Sequence, residues 1–230
     1  MRVHASIKLL EWENQFFQRH SAQLVWNDAA TLDLTRLDDF DLLQAKVDSQ
    51  HSAQLDLLQH LGFRLVEGEA DLLLAVTAAE RQTRIRIARP EHIPALRTAA
   101  GAAFAYSRFR APWYQPHDSA RFYAQWIENA VRGAFDNQCL IAHDEQGKLQ
   151  GFVSLRELGD DAARIGLLAT LPTAQGQGVG TRLMLAALDW CRARRLNQLR
   201  VATQLSNLAA MRLYLRCGAV IDRTAYWLYR

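Results

Sequence analysis

Residues 175–180 read Gln-Gly-Gln-Gly-Val-Gly, and good helix formers follow at once. At a strand-to-helix junction the first helical N–H groups lack an intrahelical partner, and the helix dipole favours an anion there. Glycine lets backbone approach such an anion with no Cβ in the way. Gln175, Gly176, Gln177, Gly178, Val179, Gly180 and Thr181 therefore form a candidate phosphate cradle. A P-loop is excluded, because Gly180 runs straight into Thr181 with no lysine between. The dinucleotide spacing G-x-G-x-x-G also fails, since these glycines run G-x-G-x-G late in the chain. The glycines alone leave open an ordinary flexible turn.

Three further groups carry chemistry. Tyr214 is a phenol on an amphipathic stretch that begins at Asn207, a residue type suited to capping a helix. Arg108, Arg110, Trp113, Tyr114, Arg121 and Tyr123 lie in or just after a loop marked by Pro112 and Pro116. Arginines pair with phosphates bidentately, and the aromatic rings can stack a base. Glu67 and Glu69 can bind or deprotonate an amine, although a solvated strand end is the plainer reading.

The elements that must position these groups follow from periodicity. Apolar 72–76 reads as a strand, and Ile85 and Ile87 alternate with arginines as a half-buried strand. A helix carries Ile93, Leu96, Ala100 and Phe104, and a second carries Phe122, Trp126 and Val131. A hairpin over 139–143 and 151–158 precedes a strand at 163–170. Then come a helix over 181–195, a strand over 199–203, a helix over 207–217 capped by Gly218, and a strand over 224–230. A domain boundary is expected near residue 80, giving domains 1–80 and 81–230. Segments 47–74 and 203–230 align without gaps when Gly62 is set against Gly218. The N-terminal domain is thus expected to be a truncated, non-catalytic relative of the C-terminal one, with Leu58 opposite Tyr214 and His51 opposite Asn207.

Composition narrows the class. The chain has 230 residues, half of them hydrophobic, and a net charge of +3, which argues against a dedicated nucleic-acid binder. Only Lys8, Lys46 and Lys148 among the 27 basic residues are lysines. Cys139, Cys191 and Cys217 show neither metal spacing nor a disulfide framework, so no metal is expected. The N-terminus lacks a signal-peptide pattern and no apolar run is long enough for membrane insertion, so a cytoplasmic location is expected.

Gln175, Gly178 and Gly180 spell Gln-x-x-Gly-x-Gly, and residues 207–218 spell Asn-x-x-Ala-x-x-x-Tyr-x-x-x-Gly. Together they resemble the acetyl-CoA pyrophosphate loop and following helix of the GNAT superfamily of N-acetyltransferases. The resemblance implies an α/β GNAT fold, a mixed, mostly antiparallel central sheet with flanking helices. It implies acetyl transfer from acetyl-CoA, as co-substrate, to an amine. N–H groups of Leu167, Leu168 and Ala169 would steady the oxyanion, Tyr214 would protonate the leaving thiolate, and Asn207 would contact pantetheine. Along nearly its whole length the chain is also similar to the dTDP-fucosamine acetyltransferases of enterobacterial common antigen synthesis. The segments that carry this are 12–17, 61–72, 107–114, 121–133, 154–158 and 224–230. That similarity implies a nucleotide-sugar acceptor, acetylated on the 4-amino group of dTDP-4-amino-4,6-dideoxygalactose. Arg108, Arg110, Trp113, Tyr114, Arg121, Tyr123 and Glu69 would be its binding residues. Two other readings stay open: a GNAT enzyme acting on a peptide N-terminus or another small amine, and a non-catalytic acyl-CoA sensor. The cationic loop favours an anionic acceptor over a cationic peptide. The sequence leaves the oligomeric state open, a homodimer included.

Overall fold

A computed structural model of the chain describes residues 3–77, 81–104 and 107–230. The boundary expected near residue 80 falls outside the described residues. Ten strands form one sheet among the described residues. They are β1 (His4–Leu9), β2 (Ser21–Thr31), β3 (Leu42–Asp48), β4 (Arg64–Ala75), β5 (Ile85–Ile87), β6 (Gln138–His143), β7 (Leu149–Gly159), β8 (Ala162–Thr170), β9 (Gln198–Gln204) and β10 (Val220–Tyr229). The helices are α1 (Glu11–Phe17), α2 (Ser52–His60), α3 (Ile93–Ala103), α4 (Asp118–Arg132), α5 (Val179–Ala193) and α6 (Leu208–Arg216). The mixed, mostly antiparallel sheet with flanking helices matches the expected class. Helix α5 begins two residues before the expected start, because Gly178 takes the left-handed conformation that opens it.

The strand order β1-β2-β3-β10-β4-β9-β8-β7-β6-β5 interleaves the two halves of the chain. The last strand, β10, lies between β3 and β4, and β4 lies between β10 and β9. The registers obey the gap-free offset that sets Gly62 against Gly218. Val220 pairs with Leu73 while Arg64 pairs with Tyr229, and each pair is the other's image under that offset. Asp48 pairs with Ala225 as Gln204 pairs with Glu69. The parallel pair β2–β3 runs from Ser21↔Leu42 to Leu24↔Ala45, and its image β8–β9 runs from Ala162↔Gln198 to Ile165↔Val201. An approximate two-fold therefore passes between β10 and β4.

Alternation along the strands divides the core. Ala70, Leu72 and Leu74 of β4 pack with Leu183, Met184, Ala187 and Trp190 of α5 and with Tyr214 of α6. Leu43, Ala45 and Val47 of β3 pack with Leu58 of α2 and Leu228 of β10. On the opposite face α3 and α4 cover β6, β7 and β8 through Leu96, Ile127, Ile141 and Phe152. An aromatic cluster of Phe109, Tyr114, Phe122 and Tyr229, joined by Phe16, Phe17 and Trp113, ties α1 to α4 and β10.

The interleaving has a direct consequence for stability. Fragment 81–230 alone would lack β4, leaving facing edges of β9 and β10 unpaired. Fragments 1–77 and 81–230, co-expressed, should co-elute in gel filtration, and 81–230 alone should aggregate or melt at least about 10 °C lower. A fragment 81–230 that is monomeric with an unchanged Tm would show that β4 is dispensable.

Candidate functional site

Two neighbouring parallel strands part company here. β8 and β9 pair only from Ala162↔Gln198 to Ile165↔Val201, yet β8 continues to Thr170 and β9 to Gln204. The far edge of β9 stays paired, with Ala202 on Asp71, Thr203 on Ala70 and Gln204 on Glu69. A cleft thus opens within the sheet, lined by main-chain groups with no strand partner. A buried backbone group left so costs about 1–3 kcal/mol, so such a cleft suits a ligand with amide groups of its own.

The inner wall of the cleft is shaped by a bulge. Val153 pairs with Leu168 and Leu155 with Ile165, so Ser154 alone faces Gly166 and Leu167. The Leu167 N–H donates to Ser154 Oγ at 2.9 Å. Leu171 N–H donates to Gln150 O at 2.8 Å. By the alternation of an antiparallel ladder, Ala169 also faces β7, and Leu168 turns its N–H and C=O into the cleft. Of the three expected oxyanion donors, Leu168 is the one so aimed.

At the end of the cleft, 175–178 leads into α5. Gly176 and Gly178 both have φ +74°, and a Cβ on either would meet nothing within 4 Å. They supply left-handed backbone at an open surface, where the amides of Val179, Gly180 and Thr181 begin the helix without intrahelical acceptors. This fits a pyrophosphate. Gly180 has a different reason: a Cβ there would lie 2.9 Å from Leu213 Cδ2. Its absence lets α6 close on the first turn of α5, beside Tyr214. Gln177 braces the loop by donating to Thr173 O at 3.0 Å, and Gln175 is exposed.

Tyr214 is 4% exposed. Burial, aided by Cys217 nearby, raises its pKa, so the phenol stays protonated through the neutral range. Among the described residues its hydroxyl has no hydrogen-bond partner. Asn207 caps α6, its Oδ1 accepting from Ala210 N–H at 3.2 Å.

The sheet face opposite α5 and α6 carries a polar cluster. Glu67, Glu69 and Asp71 share it by strand alternation. They sit inside β4, not at a solvated strand end, because β10 and β9 flank that strand. Asp71, 5% exposed, takes Lys46 Nζ at 3.2 Å, Arg164 Nη2 at 3.1 Å and Arg223 Nε at 3.4 Å. Burial works against its charge, but these cations outweigh it and hold its pKa below the ordinary value. Glu69 takes Lys46 and, at 3.0 Å, the indole N–H of Trp227. Glu67 has no ion-pair partner among the described residues; Gln204 Nε2 donates to it at 3.2 Å from the end of β9. Burial pushes its pKa up to about 7, with Gln204 and Arg108 pulling it back and Glu69 adding to it.

The expected acceptor residues spread over this face. Arg108 stacks on Trp227 with Cζ 4.1 Å from the ring centroid, donates to Gln44 Oε1 at 2.8 Å, and donates to the Tyr229 hydroxyl. Gln44 in turn donates to Glu13 Oε2 at 2.9 Å and to the Tyr114 hydroxyl at 3.1 Å. Tyr114 is 5% exposed among Phe17, Phe109 and Tyr229, so its ring packs the core rather than facing open space. Tyr123 stacks on Phe104 and Trp126. Arg121 pairs with Asp118 and lies over Phe16. Arg110 donates to Val66 O at 3.0 Å, and Arg64 lies 5.7 Å from the Trp113 ring, which forms a cationic, aromatic rim beside Glu67. Gln44, Lys46, Asp71, Arg164, Trp227 and Tyr229 were missed from the sequence; the alternating acids of 67–71 were the one local signal.

Comparison with known proteins gives the family. Residues 102–219 match the acetyltransferase (GNAT) family, and the chain belongs to that family. It is 52% identical over 231 residues to the dTDP-fucosamine acetyltransferase of Escherichia coli O6:H1, covering 100% of each chain. In fold it is similar to a GCN5-related N-acetyltransferase from Sphaerobacter thermophilus, with a TM-score of 0.66, 15% identity, and coverage of 99% of this chain and 76% of that one. A tandem GNAT protein from the clavulanic acid biosynthesis pathway gives a TM-score of 0.60 at 15% identity, covering 91% of this chain and 74% of that one. The protein is an acetyltransferase, and the family's donor is acetyl-CoA. Among the described residues no helix is long and apolar enough to cross a membrane, and no cluster of His, Cys, Asp or Glu is placed to hold a metal ion.

Glu67 makes stability depend on pH. Its folded pKa of about 7 lies above the usual 4.5, so stability falls as pH rises through that window. Glu67→Gln should therefore gain Tm over the wild type from about pH 5 to about pH 8, as read by calorimetry. A constant difference across that range would mean that Glu67 ionises normally.

Proposed function

We propose that this chain transfers acetyl from acetyl-CoA to the 4-amino group of dTDP-4-amino-4,6-dideoxygalactose, as a step toward enterobacterial common antigen. The observation that carries this is the full-length similarity to the dTDP-fucosamine enzyme. Acetyl-CoA supplies a thioester that an amine attacks directly. The amides at the start of α5 hold the pyrophosphate, with Gly176 and Gly178 shaping the approach. The pantetheine lies along the cleft, near Asn207. The Leu168 N–H steadies the charge that develops on the carbonyl oxygen. Tyr214, kept protonated by burial, gives its proton to the departing thiolate.

Glu67 is the base. It is the one carboxylate of its row with no cation tied to it, and its pKa of about 7 suits taking a proton from an ammonium group at neutral pH. Lys46, Arg164 and Arg223 neutralise Glu69 and Asp71, leaving one anionic group for one amine. Arg64 and Arg110 are placed to pair with the acceptor's diphosphate, and Trp113 to stack its base.

The N-terminal half is a truncated, non-catalytic relative of the C-terminal half. Its own β2–β3 pairing stops at the equivalent place, after Leu24↔Ala45. There the Trp26 indole donates to Lys46 O at 3.1 Å and closes the second cleft. A short 3-10 turn, Leu34–Asp39, stands where α5 would be, and Leu58 where Tyr214 would be.

Thiol release with acetyl-CoA and a panel of nucleotide sugars, amino sugars and peptides tests the acceptor. Release with the dTDP-aminosugar is expected. Acetylation of a peptide but not of the sugar would sink the proposal, and no release with any amine would favour a sensor. Tyr214→Phe should cut kcat about 100-fold with little change in acetyl-CoA affinity. Glu67→Gln should cut kcat/KM by about 100-fold or more and abolish its fall below about pH 7. Near-normal turnover in either variant removes that residue from the mechanism.

A further inference from the structure

The buried groups behind β8 are not accounted for by substrate binding. Ser154 is 0% exposed, and its Oγ accepts the Leu167 N–H. Asp136 is 1% exposed; its Oδ2 accepts the Trp126 indole N–H at 3.0 Å, and its Oδ1 is buried with no partner among the described residues. Buried carboxylates with so few partners are rare, because desolvation is costly. Both side chains converge on Gly166. A Cβ there would lie 2.5 Å from Asp136 Oδ2 and 2.8 Å from Ser154 Oγ.

These contacts fix a register. The β7–β8 ladder changes register across Ser154, where two residues of β8 face one of β7. Without the bulge, β8 would slip by one residue and each following amide would turn to the other edge. Leu168 would then face β7 instead of the cleft. Two things oppose the slip. Ser154 Oγ gives the Leu167 amide an acceptor that the bulge would otherwise deny it. The Asp136 and Ser154 oxygens leave room only for glycine, and a slip would press the side chain of Ile165 or Leu167 against them.

We propose that Ser154 is a positioning residue for acetyl transfer, its Oγ holding the β8 bulge that aims the Leu168 N–H into the cleft. Asp136 completes the lock by excluding any residue but Gly166 from the bulge. The inference rests on Leu168 being the oxyanion donor. It assigns Ser154 no contact with substrate.

The test compares Ser154→Ala and Ser154→Thr in the full chain. Three readouts are taken: kcat and acetyl-CoA KM with the dTDP-aminosugar, Tm, and amide hydrogen exchange at Leu167 and Leu168 by NMR. Ser154→Ala should lower kcat about 100-fold, leave KM within about two-fold, and speed exchange at Leu167. Ser154→Thr, which keeps the oxygen, should restore most of kcat and the slow exchange. Unchanged exchange and unchanged kcat in Ser154→Ala would overturn the role of Ser154 and leave the oxyanion assignment standing. Faster exchange with normal kcat would overturn the assignment of Leu168, and the proposal with it. Equal losses of kcat and Tm in both variants would make Ser154 a packing residue and also overturn the proposal.

Discussion

Everything at this site depends on a parallel pair of strands that stops pairing halfway. β8 and β9 are held together as far as Ile165 and Val201 and then diverge, each still tied on its other edge, β8 to β7 and β9 to β4. The sheet can bear this break because its outer edges remain in the ladder and because α5 and α6 cover the apolar side. What opens is a slot with backbone donors and acceptors in its walls. A glycine-shaped helix start lies at one end, and a protonated phenol lies beside it. A long, amide-bearing thioester is the ligand we propose for that slot.

The second constraint is the exchange of strands between the halves. β4 is encoded in the first third of the chain, yet it lies between β10 and β9 of the C-terminal half and brings Glu67 next to Gln204 at the end of β9. In return β10 completes the first half's sheet and brings Trp227 and Tyr229 under Arg108. Neither half alone builds this polar face. The same symmetry repeats the break in the β2–β3 ladder after Leu24↔Ala45, and there the Trp26 indole donates to Lys46 O.

The glycine loop before α5 was legible because its residues are local. Gly176 and Gly178 are needed for their own backbone conformation, and a motif of six residues reports that directly. Gly180 was legible as a glycine but not in its reason, which is a contact with Leu213 on another helix. The strand period of Glu67, Glu69 and Asp71 was on the page, but their burial was not, because it comes from strands paired across the whole chain. Arg108, Gln44 and Trp227 meet from a loop and two distant strands, and no local pattern announces such a meeting. Tyr114 and Tyr123 look like base-stacking residues from the family resemblance and their place in or just after the Pro-marked loop; packing with Phe17, Phe109 and Phe104 places them in the aromatic core instead.

The proposed function puts acetyl-CoA in the cleft between β8 and β9 and in no other part of the sheet. Backbone amide shifts during a titration with acetyl-CoA read this residue by residue. The largest changes are expected at Leu168, at Ala202 and over 176–181, with Trp26 and Lys46 of the closed cleft unmoved. Changes centred on Trp26 and Lys46, or absent from Leu168 and the start of α5, would rule out binding in that cleft.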